Sequence, residues 1–148
     1  MPGTIARPGY FLDTNILIYA TSLAADHAAK ALSARAWVQR DDWGVSTQVL
    51  MEFFANARQP RHGLLPTAAQ DFVELIAARR PVQAVDRELV LDALALRHRC
   101  YLTHWDAAIL CAARRLGAHT VVSEDMQSGR DYEGIRVLNP FVVPATGH

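Results

Sequence analysis

The chain has 148 residues, of which 51% are hydrophobic and 20% are charged. A domain of this length buries roughly 68–70% of the surface of its unfolded chain, so it needs neither disulfides nor a structural metal to hold a core. The 15 basic and 15 acidic residues cancel, which argues against a protein that coats nucleic acid non-specifically, because such proteins are strongly basic. A nucleic-acid enzyme with a local basic rim remains compatible with this balance.

Targeting and redox features also narrow the class. The first ten residues contain no apolar run of signal-peptide length, and no window approaches 18 uninterrupted apolar residues. We therefore expect a cytoplasmic protein with no membrane contact. Cys100 and Cys111 form no CxxC pair, so we interpret them as buried thiols in a reducing compartment.

The predicted elements alternate between short apolar strands and longer helices, and they form one domain over residues 1–148 with a core at about 8–142. Strands are predicted at 10–12, 43–46, 82–85, 119–123 and 135–138. Helices are predicted at about 15–23, 26–40, 47–58, 67–79, 86–100 and 104–116, with Thr14, Thr67 and Asp86 as caps. This alternation predicts an α/β fold, a three-layer α/β/α sandwich around a central parallel sheet. Ligands of such folds bind beyond the carboxyl ends of the strands.

Two acids follow strands at that edge of the predicted sheet. Asp13 comes directly after the first strand, and Asp125 closely follows the strand at 119–123. A buried carboxylate needs partners, and Thr14 and Asn15 can orient Asp13 by hydrogen bonds. Two simpler interpretations stay open, because an Asp at a strand–helix junction often caps the helix and an Asp before a Ser-Gly segment often forms a turn.

Two further acids lie on helices. Glu52 shares a helical face with Val49 and Phe53, and Asp106 shares one with Ile109 and Leu110. These apolar stripes must face the core, and each acid lies in the first turn or two of its helix, where the positive helix end favours an anion. All four acids are thus expected to lie close together at the opening of one pocket at the carboxyl edge of the sheet. Asp92 also lies on an apolar stripe but mid-helix, so we expect either a structural pair, for which Arg99 and His98 are candidates, or a position at the edge of the face.

Four carboxylates in one pocket repel one another, at roughly 4 kcal/mol for two charges about 4 Å apart in an effective dielectric near 20. A divalent cation removes this repulsion. An all-oxygen site suits Mg²⁺ or Mn²⁺, ions that keep water ligands and bind phosphates. The chemistry that follows is metal-assisted phosphodiester hydrolysis, in which an ionised acid orients or deprotonates a water.

Four segments at these separations resemble the PIN-domain ribonucleases, most closely the toxin subunits of VapBC-type toxin–antitoxin pairs. The resemblance covers residues 10–141. The residues that carry it are Phe11-Leu12-Asp13-Thr14-Asn15, Glu52, Trp105-Asp106-Ala107-Ala108-Ile109 and Val122-Ser123-Glu124-Asp125-Met126-Gln127.

The resemblance implies a role for each matched residue. Asp13, Glu52, Asp106 and Asp125 match the family's four catalytic, metal-binding acids. Ser123 matches the hydroxyl residue two places before the last acid, and Asn15, beside Thr14, matches the polar residue that supports the first.

The resemblance also implies a function. The chain would be a Mg²⁺- or Mn²⁺-dependent endoribonuclease that inhibits translation by cutting a tRNA or a ribosomal RNA. It would form a homodimer, and a small antitoxin would obstruct its acidic pocket. Two alternatives stay open, namely a catalytically silent metal- or RNA-binding module of the same fold and a housekeeping PIN nuclease.

Other α/β families with an Asp after the first strand fit less well. A haloacid-dehalogenase-type phosphatase needs a second acid at the position of Asn15. A receiver domain needs a late lysine, whereas Lys30 is the only lysine of the chain.

Arginines are the candidates for a rim that binds RNA phosphates. The alternative for each is a solvated helix face paired with Asp or Glu. The candidates are Arg58, Arg61, Arg114, Arg115 and Arg130.

Overall fold

A six-stranded sheet with helices on both faces organises residues 7–142, the part of the chain that the computed structural model describes. The strands are β1 (Tyr10–Leu12), β2 (Trp43–Ser46), β3 (Val82–Gln83), β4 (Thr120–Val122), β5 (Asp131–Tyr132) and β6 (Ile135–Leu138). The helices are α1 (Thr14–Thr21), α2 (Ala28–Val38), α3 (Thr47–Ala57), α4 (Pro66–Arg79), α5 (Arg87–Cys100) and α6 (His104–Leu116). Residues 1–6 and 143–148 lie outside this range.

The strand order is β3-β2-β1-β4-β6-β5. The first five strands of this order pair in parallel, and only β5 runs antiparallel, against β6. Helix α1 contacts α2 and α3, and α3 contacts α4, whereas α5 pairs with α6, which packs on the sheet. The predicted α/β/α sandwich with a parallel sheet is therefore confirmed, with an antiparallel edge strand as an addition.

The central strands are buried on both faces, which explains their continuous apolar sequence. Phe11, Leu12, Val121 and Val122 are all fully buried. Helix α6 covers them with seven consecutive buried residues, Ala107–Ala113. Among the described helices, none is both long enough and apolar enough to cross a membrane.

Helix ends show where local chemistry fixes the boundaries. The side chains of Ser46 and Asp86 accept hydrogen bonds from the first turns of α3 and α5, and Gly117 ends α6 in a left-handed conformation. The predicted caps Thr14 and Thr67 are wrong. The Asp13 carboxylate caps α1, and α4 begins at Pro66, which lacks the N–H that a first-turn residue leaves unpaired.

Three other predicted boundaries change. The helix expected at 26–40 divides into a 3₁₀ turn, Ala25–His27, followed by α2. Strand β3 (Val82–Gln83) is shorter than the predicted strand at 82–85, and β4 (Thr120–Val122) is shorter than the predicted strand at 119–123. Strand β5 was not predicted at all. It pairs through a tight turn in which Glu133 and Gly134 have positive φ angles of 53° and 100°.

Both cysteines are free thiols. The expectation of a buried thiol holds for Cys111, but Cys100 is only partly buried.

A close backbone approach at Gly44 gives a stability prediction. A Cβ at this position would lie 2.8 Å from the Pro81 carbonyl oxygen and 3.0 Å from Leu116. That carbonyl accepts the Val45 N–H at 3.1 Å, so it cannot retreat without losing a strand hydrogen bond. Gly44→Ala should cost about 2 kcal/mol of unfolding free energy, as overpacking does, and lower the Tm by about 4–8 °C.

Gly9→Ala is the matched control for this variant. Its Cβ would meet the ring of His119 at 3.0 Å, and His119 is an exposed side chain that can turn away. Calorimetry should show a smaller loss for Gly9→Ala. Equal melting temperatures for Gly44→Ala and the unmodified protein would contradict the steric argument.

Candidate active site

The parallel pairing of β1 with β4 builds the first part of the site. Leu12 pairs with Val122, so the residues that follow these two strands emerge side by side at the carboxyl edge of the sheet. The Asp13 backbone N–H donates to the Val122 carbonyl at 3.0 Å. The Ser123 hydroxyl donates to Asp13 Oδ2 at 2.7 Å, and the Thr14 N–H donates to Oδ1 at 2.7 Å. Asp13 therefore caps α1 and is also fixed, at 7% exposure, by the neighbouring strand.

The four predicted acids line one cavity at this edge. The cavity has a volume of about 320 Å³. Its walls come from β1, α1, α3, α6 and the segment after β4. They comprise Asp13, Thr14, Gln48, Glu52, Thr103, Trp105, Asp106, Ile109 and Asp125.

Polar side chains orient the carboxylates of Glu52 and Asp125 and fix the backbone of Asp106. Gln48 Nε2 donates to Glu52 Oε1 at 2.7 Å from one turn earlier on α3. Asn15 Nδ2 donates to Asp125 Oδ2 at 3.0 Å. The Asp106 backbone N–H donates to Thr103 Oγ1 at 3.1 Å, which holds Asp106 in the first turn of α6.

Burial and mutual repulsion shift the proton affinities of two acids. Burial raises the pKa of Asp13 from 3.8 to about 6; the hydrogen bonds from Ser123 and Thr14 oppose this rise, and the charges of Asp125 and Glu52 add to it. Burial likewise raises the pKa of the Asp106 carboxyl. Negative charge on the carboxylates of Asp13 and Asp106 is therefore costly in this cavity.

A second network fixes the segment that carries Asp125. Glu124 accepts hydrogen bonds from the Tyr19 hydroxyl and from Lys30 Nζ, the latter at 2.7 Å. Ser123 Oγ accepts the Asp125 N–H at 3.1 Å. The turn after β4 is therefore tied to both α1 and α2, and the only lysine of the chain serves this purpose.

The donor set of the cavity fits a divalent cation, although within residues 7–142 no three His, Cys, Asp or Glu side chains already form a metal-binding cluster. The cavity offers carboxylate oxygens that repel one another. It also contains Thr14 Oγ1, a buried hydroxyl oxygen that lacks a hydrogen-bond partner among the described residues. An ion such as Mg²⁺ retains several water ligands, so it needs few direct carboxylate contacts, and its waters can satisfy such a hydroxyl.

The five candidate arginines lie in different places. Arg61 lines a second cavity that shares Glu52 and Asp125 with the acidic one. The Arg58 guanidinium stacks over Phe54, and that of Arg130 stacks over Tyr132.

Arg114 and Arg115 line a separate pocket near α5. Arg114 donates to the Glu133 carbonyl, and Arg115 bridges Asp86 and Asp92. The partner of Asp92 is therefore Arg115, and the expected pairing with Arg99 or His98 is wrong.

Sequence reasoning missed two residues of the acidic cavity, Gln48 and Thr103. Signals for both were present. Gln48 precedes Glu52 by four residues, a spacing that brings helical side chains together. Thr103 precedes Asp106 by three, the spacing of an N-cap with its first-turn partner.

Comparisons with known proteins agree on the fold. A family model described as PIN domain matches residues 10–128. A search of curated proteins found no significant match. Among solved structures, a toxin–antitoxin complex from Klebsiella pneumoniae superposes with a TM-score of 0.63 at 20% identity, covering 90% of this chain and 99% of that one.

Two other solved structures are similar. The VapC20 toxin of Mycobacterium tuberculosis, described as cleaving the sarcin–ricin loop, has a TM-score of 0.61 at 20% identity, covering 78% of this chain and 91% of its own. FitAcB from Neisseria gonorrhoeae has a TM-score of 0.63 at 17% identity, covering 90% and 99%.

The raised pKa of Asp13 predicts a pH-dependent stability. The folded chain binds this proton more tightly than the unfolded chain, so the related stability is complete below pH 3.8 and is lost as the pH rises through about 6. Without divalent metal, Asp13→Asn should therefore raise the unfolding free energy by about 2–3 kcal/mol at pH 8, with the gain shrinking towards pH 4.

Urea unfolding in EDTA at pH 8, 6 and 4 measures this effect. Asp71→Asn, an exposed change on α4, is the control and should show no comparable gain. An Asp13→Asn protein that is less stable than the unmodified chain at pH 8 would contradict the assigned cost of the buried charge.

Proposed function

Because the chain belongs to the PIN domain family, we propose that it is a Mg²⁺- or Mn²⁺-dependent endoribonuclease. The observation that carries the proposal is the convergence of Asp13, Glu52, Asp106 and Asp125 on one cavity at the carboxyl edge of the sheet. A cavity lined by four carboxylates repels a bare phosphate and accepts one together with cations.

Within this proposal the four acids hold the metal. When bound, the metal supplies positive charge that polarises the scissile phosphate and makes a water more acidic. Asp13 is held rigidly by Ser123 and Thr14, so its oxygens keep a fixed direction towards the cavity.

Asp125 has the exposure and orientation for proton transfer. It is exposed, and Asn15 leaves one of its carboxylate oxygens for a water. We assign it the orientation of the attacking water and the acceptance of its proton. Gln48 positions Glu52 as Asn15 positions Asp125, by donating an amide hydrogen bond to one carboxylate oxygen.

A role as a toxin is the more specific proposal. Its support is the similarity of the fold to solved structures that include a toxin–antitoxin complex and a toxin described as cleaving the sarcin–ricin loop. We propose that the chain is one cytoplasmic PIN domain that cuts tRNA or rRNA and so inhibits translation. It would act as a homodimer, and a small antitoxin would inhibit it.

Cleavage of total cellular RNA by the purified protein tests the enzymatic proposal. Discrete fragments should form with Mn²⁺ or Mg²⁺ and vanish in EDTA. Asp13→Asn and Asp106→Asn should each lower the rate by at least about a hundredfold, because even groups that only support metal ligands contribute 10–100-fold. Asp71→Asn, with the same change of charge on α4, should cleave normally.

The alternatives have separate signatures in this assay. A folded protein that binds RNA or metal but yields no fragments would establish the silent binding module. Full activity of Asp13→Asn would remove these four acids as the site. Generalised degradation without growth inhibition on expression would favour a housekeeping nuclease over a toxin.

Metal binding should stabilise the folded protein. A ligand that binds only the native state adds about 2.7 kcal/mol at a concentration of 100 times its Kd. Differential scanning fluorimetry at pH 7.5 with millimolar Mn²⁺ or Mg²⁺ should therefore raise the Tm of the unmodified protein and of Asp71→Asn. The shift should be much smaller for Asp106→Asn, and an unchanged Tm for the unmodified protein would contradict a preformed metal site.

A further inference from the structure

A second cavity adjoins the acidic one. It has a volume of about 330 Å³ and shares Thr14, Glu52 and Asp125 with the acidic cavity. This size lies at the lower end of the range for pockets that bind small organic ligands, roughly 300–1,000 Å³. A ligand that reaches from one cavity into the other would pass directly over the acids.

The walls beyond the shared acids are aromatic. Tyr19, His27 and His62 all line this cavity. The ring centroids of Tyr19 and His27 are 4.9 Å apart, and those of His27 and His62 are 5.5 Å apart with a tilt of 30°. His62 is only 4% exposed, whereas Tyr19 and His27 are half-buried, so these two rings offer the surface on which an unpaired nucleobase can stack.

The hydrogen bond between Arg61 and His62 defines the charge of this wall. Arg61 Nε donates to His62 Nε2 at 3.2 Å. A guanidinium only donates, so His62 Nε2 is the acceptor in this contact, and His62 Nδ1 is buried without a hydrogen-bond partner among the described residues. Burial, followed by the charge of Arg61, lowers the pKa of His62.

Arg61 keeps most of its binding capacity. A guanidinium has five N–H donors, and the contact with His62 uses one of them. The residue is exposed at the cavity wall. The His62 contact fixes the plane of the guanidinium, which prepares its fork for a phosphate.

The cavity also contains amide groups suited to a base edge. Asn56 lines it from α3; its Nδ2 donates to the Glu52 carbonyl at 2.8 Å and its Oδ1 accepts from Gln59 Nε2 at 3.4 Å, which fixes the amide plane and leaves one N–H and one oxygen lone pair for a ligand. An amide offers donor and acceptor atoms at a fixed spacing, the requirement for hydrogen bonds to one edge of a nucleobase. Rings, amide and guanidinium together match the three chemical parts of a nucleotide: base face, base edge and phosphate.

We propose that this second cavity binds one unstacked nucleotide of single-stranded RNA next to the phosphodiester that is cut. The base lies against His27, which His62 supports from behind, Asn56 contacts the edge of the base, and Arg61 binds its phosphate. The inference rests on the proposed ribonuclease function and adds to it a place where the substrate is selected. It makes the substrate a single-stranded loop or end, because a base inside a duplex cannot enter the cavity.

Direct binding in millimolar Ca²⁺, a cation that carboxylate oxygens also bind, tests the inference, and intact labelled RNA at the end of each titration excludes cleavage. The probes are fluorescein-labelled eight-nucleotide homopolymers of U, C and A, together with a labelled RNA duplex of mixed sequence, measured by fluorescence anisotropy. The unmodified protein should prefer single strands to the duplex and should discriminate among the bases.

Two variants with matched controls identify the cavity as the binding place. Arg61→Gln should weaken single-strand binding about tenfold, the effect of one charge-assisted hydrogen bond. It should also reduce the slope of log affinity against log salt by about 0.7, the value for one phosphate contact on a single strand. Arg97→Gln, in a different cavity beside α5, should change neither quantity.

The second pair tests the stacking surface. His27→Ala should weaken binding of the preferred homopolymer about tenfold, the size of one lost base–aromatic contact, and should flatten the discrimination among bases. His98→Ala, an exposed change on α5, should leave both unchanged. Melting curves of all four variants identify any loss of folding, and exposed Arg61 keeps the test decisive if His27→Ala is unstable.

Failure of the inference and failure of the proposed function give different results. If the unmodified protein cleaves RNA in a metal- and Asp13-dependent manner while Arg61→Gln and folded His27→Ala bind single strands normally, the second cavity is not a nucleotide subsite and the nuclease proposal stands. Equal affinity for duplex and single strands would also overturn the inference. Selective binding through Arg61 and His27 without cleavage would support the subsite and contradict the nuclease.

Discussion

The burial of the Asp13 carboxylate at the junction of β1 and β4 is the constraint on which the site depends. A carboxylate at 7% exposure requires hydrogen-bond donors, and the pairing of these strands supplies them through Ser123. The same pairing joins the Asp13 N–H to the Val122 carbonyl. The register of β1 against β4 therefore also determines where α1 begins and in which direction the Asp13 carboxylate points. A shift of either strand would disrupt all three features.

The other acids of the cavity are held differently, because neutral amide side chains rather than cationic ones donate hydrogen bonds to Glu52 and Asp125. Gln48 and Asn15 donate to Glu52 and Asp125 without adding positive charge. Neutral donors orient the carboxylates and leave their charge uncompensated, so the attraction for a cation remains. The apolar core that α6 and the central strands bury offsets the free-energy cost of holding these charges close together.

The sequence predicts best those features that a short segment determines by itself. Strand β2 and helix α3 follow one another without a loop, so the apolar run and the helix period define the boundary between them. Gly117 ends α6 because its φ of 82° favours glycine. Strand β5 has only two residues and gains its identity from pairing with β6, so no local pattern reveals it.

The same distinction applies to the candidate site. The four acids could be expected together because parallel strands and helix starts share one edge of the sheet. The roles of the other groups depend on which segments pack together. Arg115 meets Asp86 and Asp92 across 29 and 23 residues of sequence, and His27 and His62 meet through the contact of two 3₁₀ turns, Ala25–His27 and Pro60–His62. Composition and spacing contain no trace of such pairings.

The two ends of the sheet have a consequence for how this protein associates with itself. Both outer strands, β3 and β5, contain only two residues. A short edge presents too few unpaired backbone groups to template the addition of a foreign strand. Extension of the sheet from copy to copy, the route towards fibrils, is therefore disfavoured at either end, and ordered contacts between copies are expected elsewhere than along these two edges.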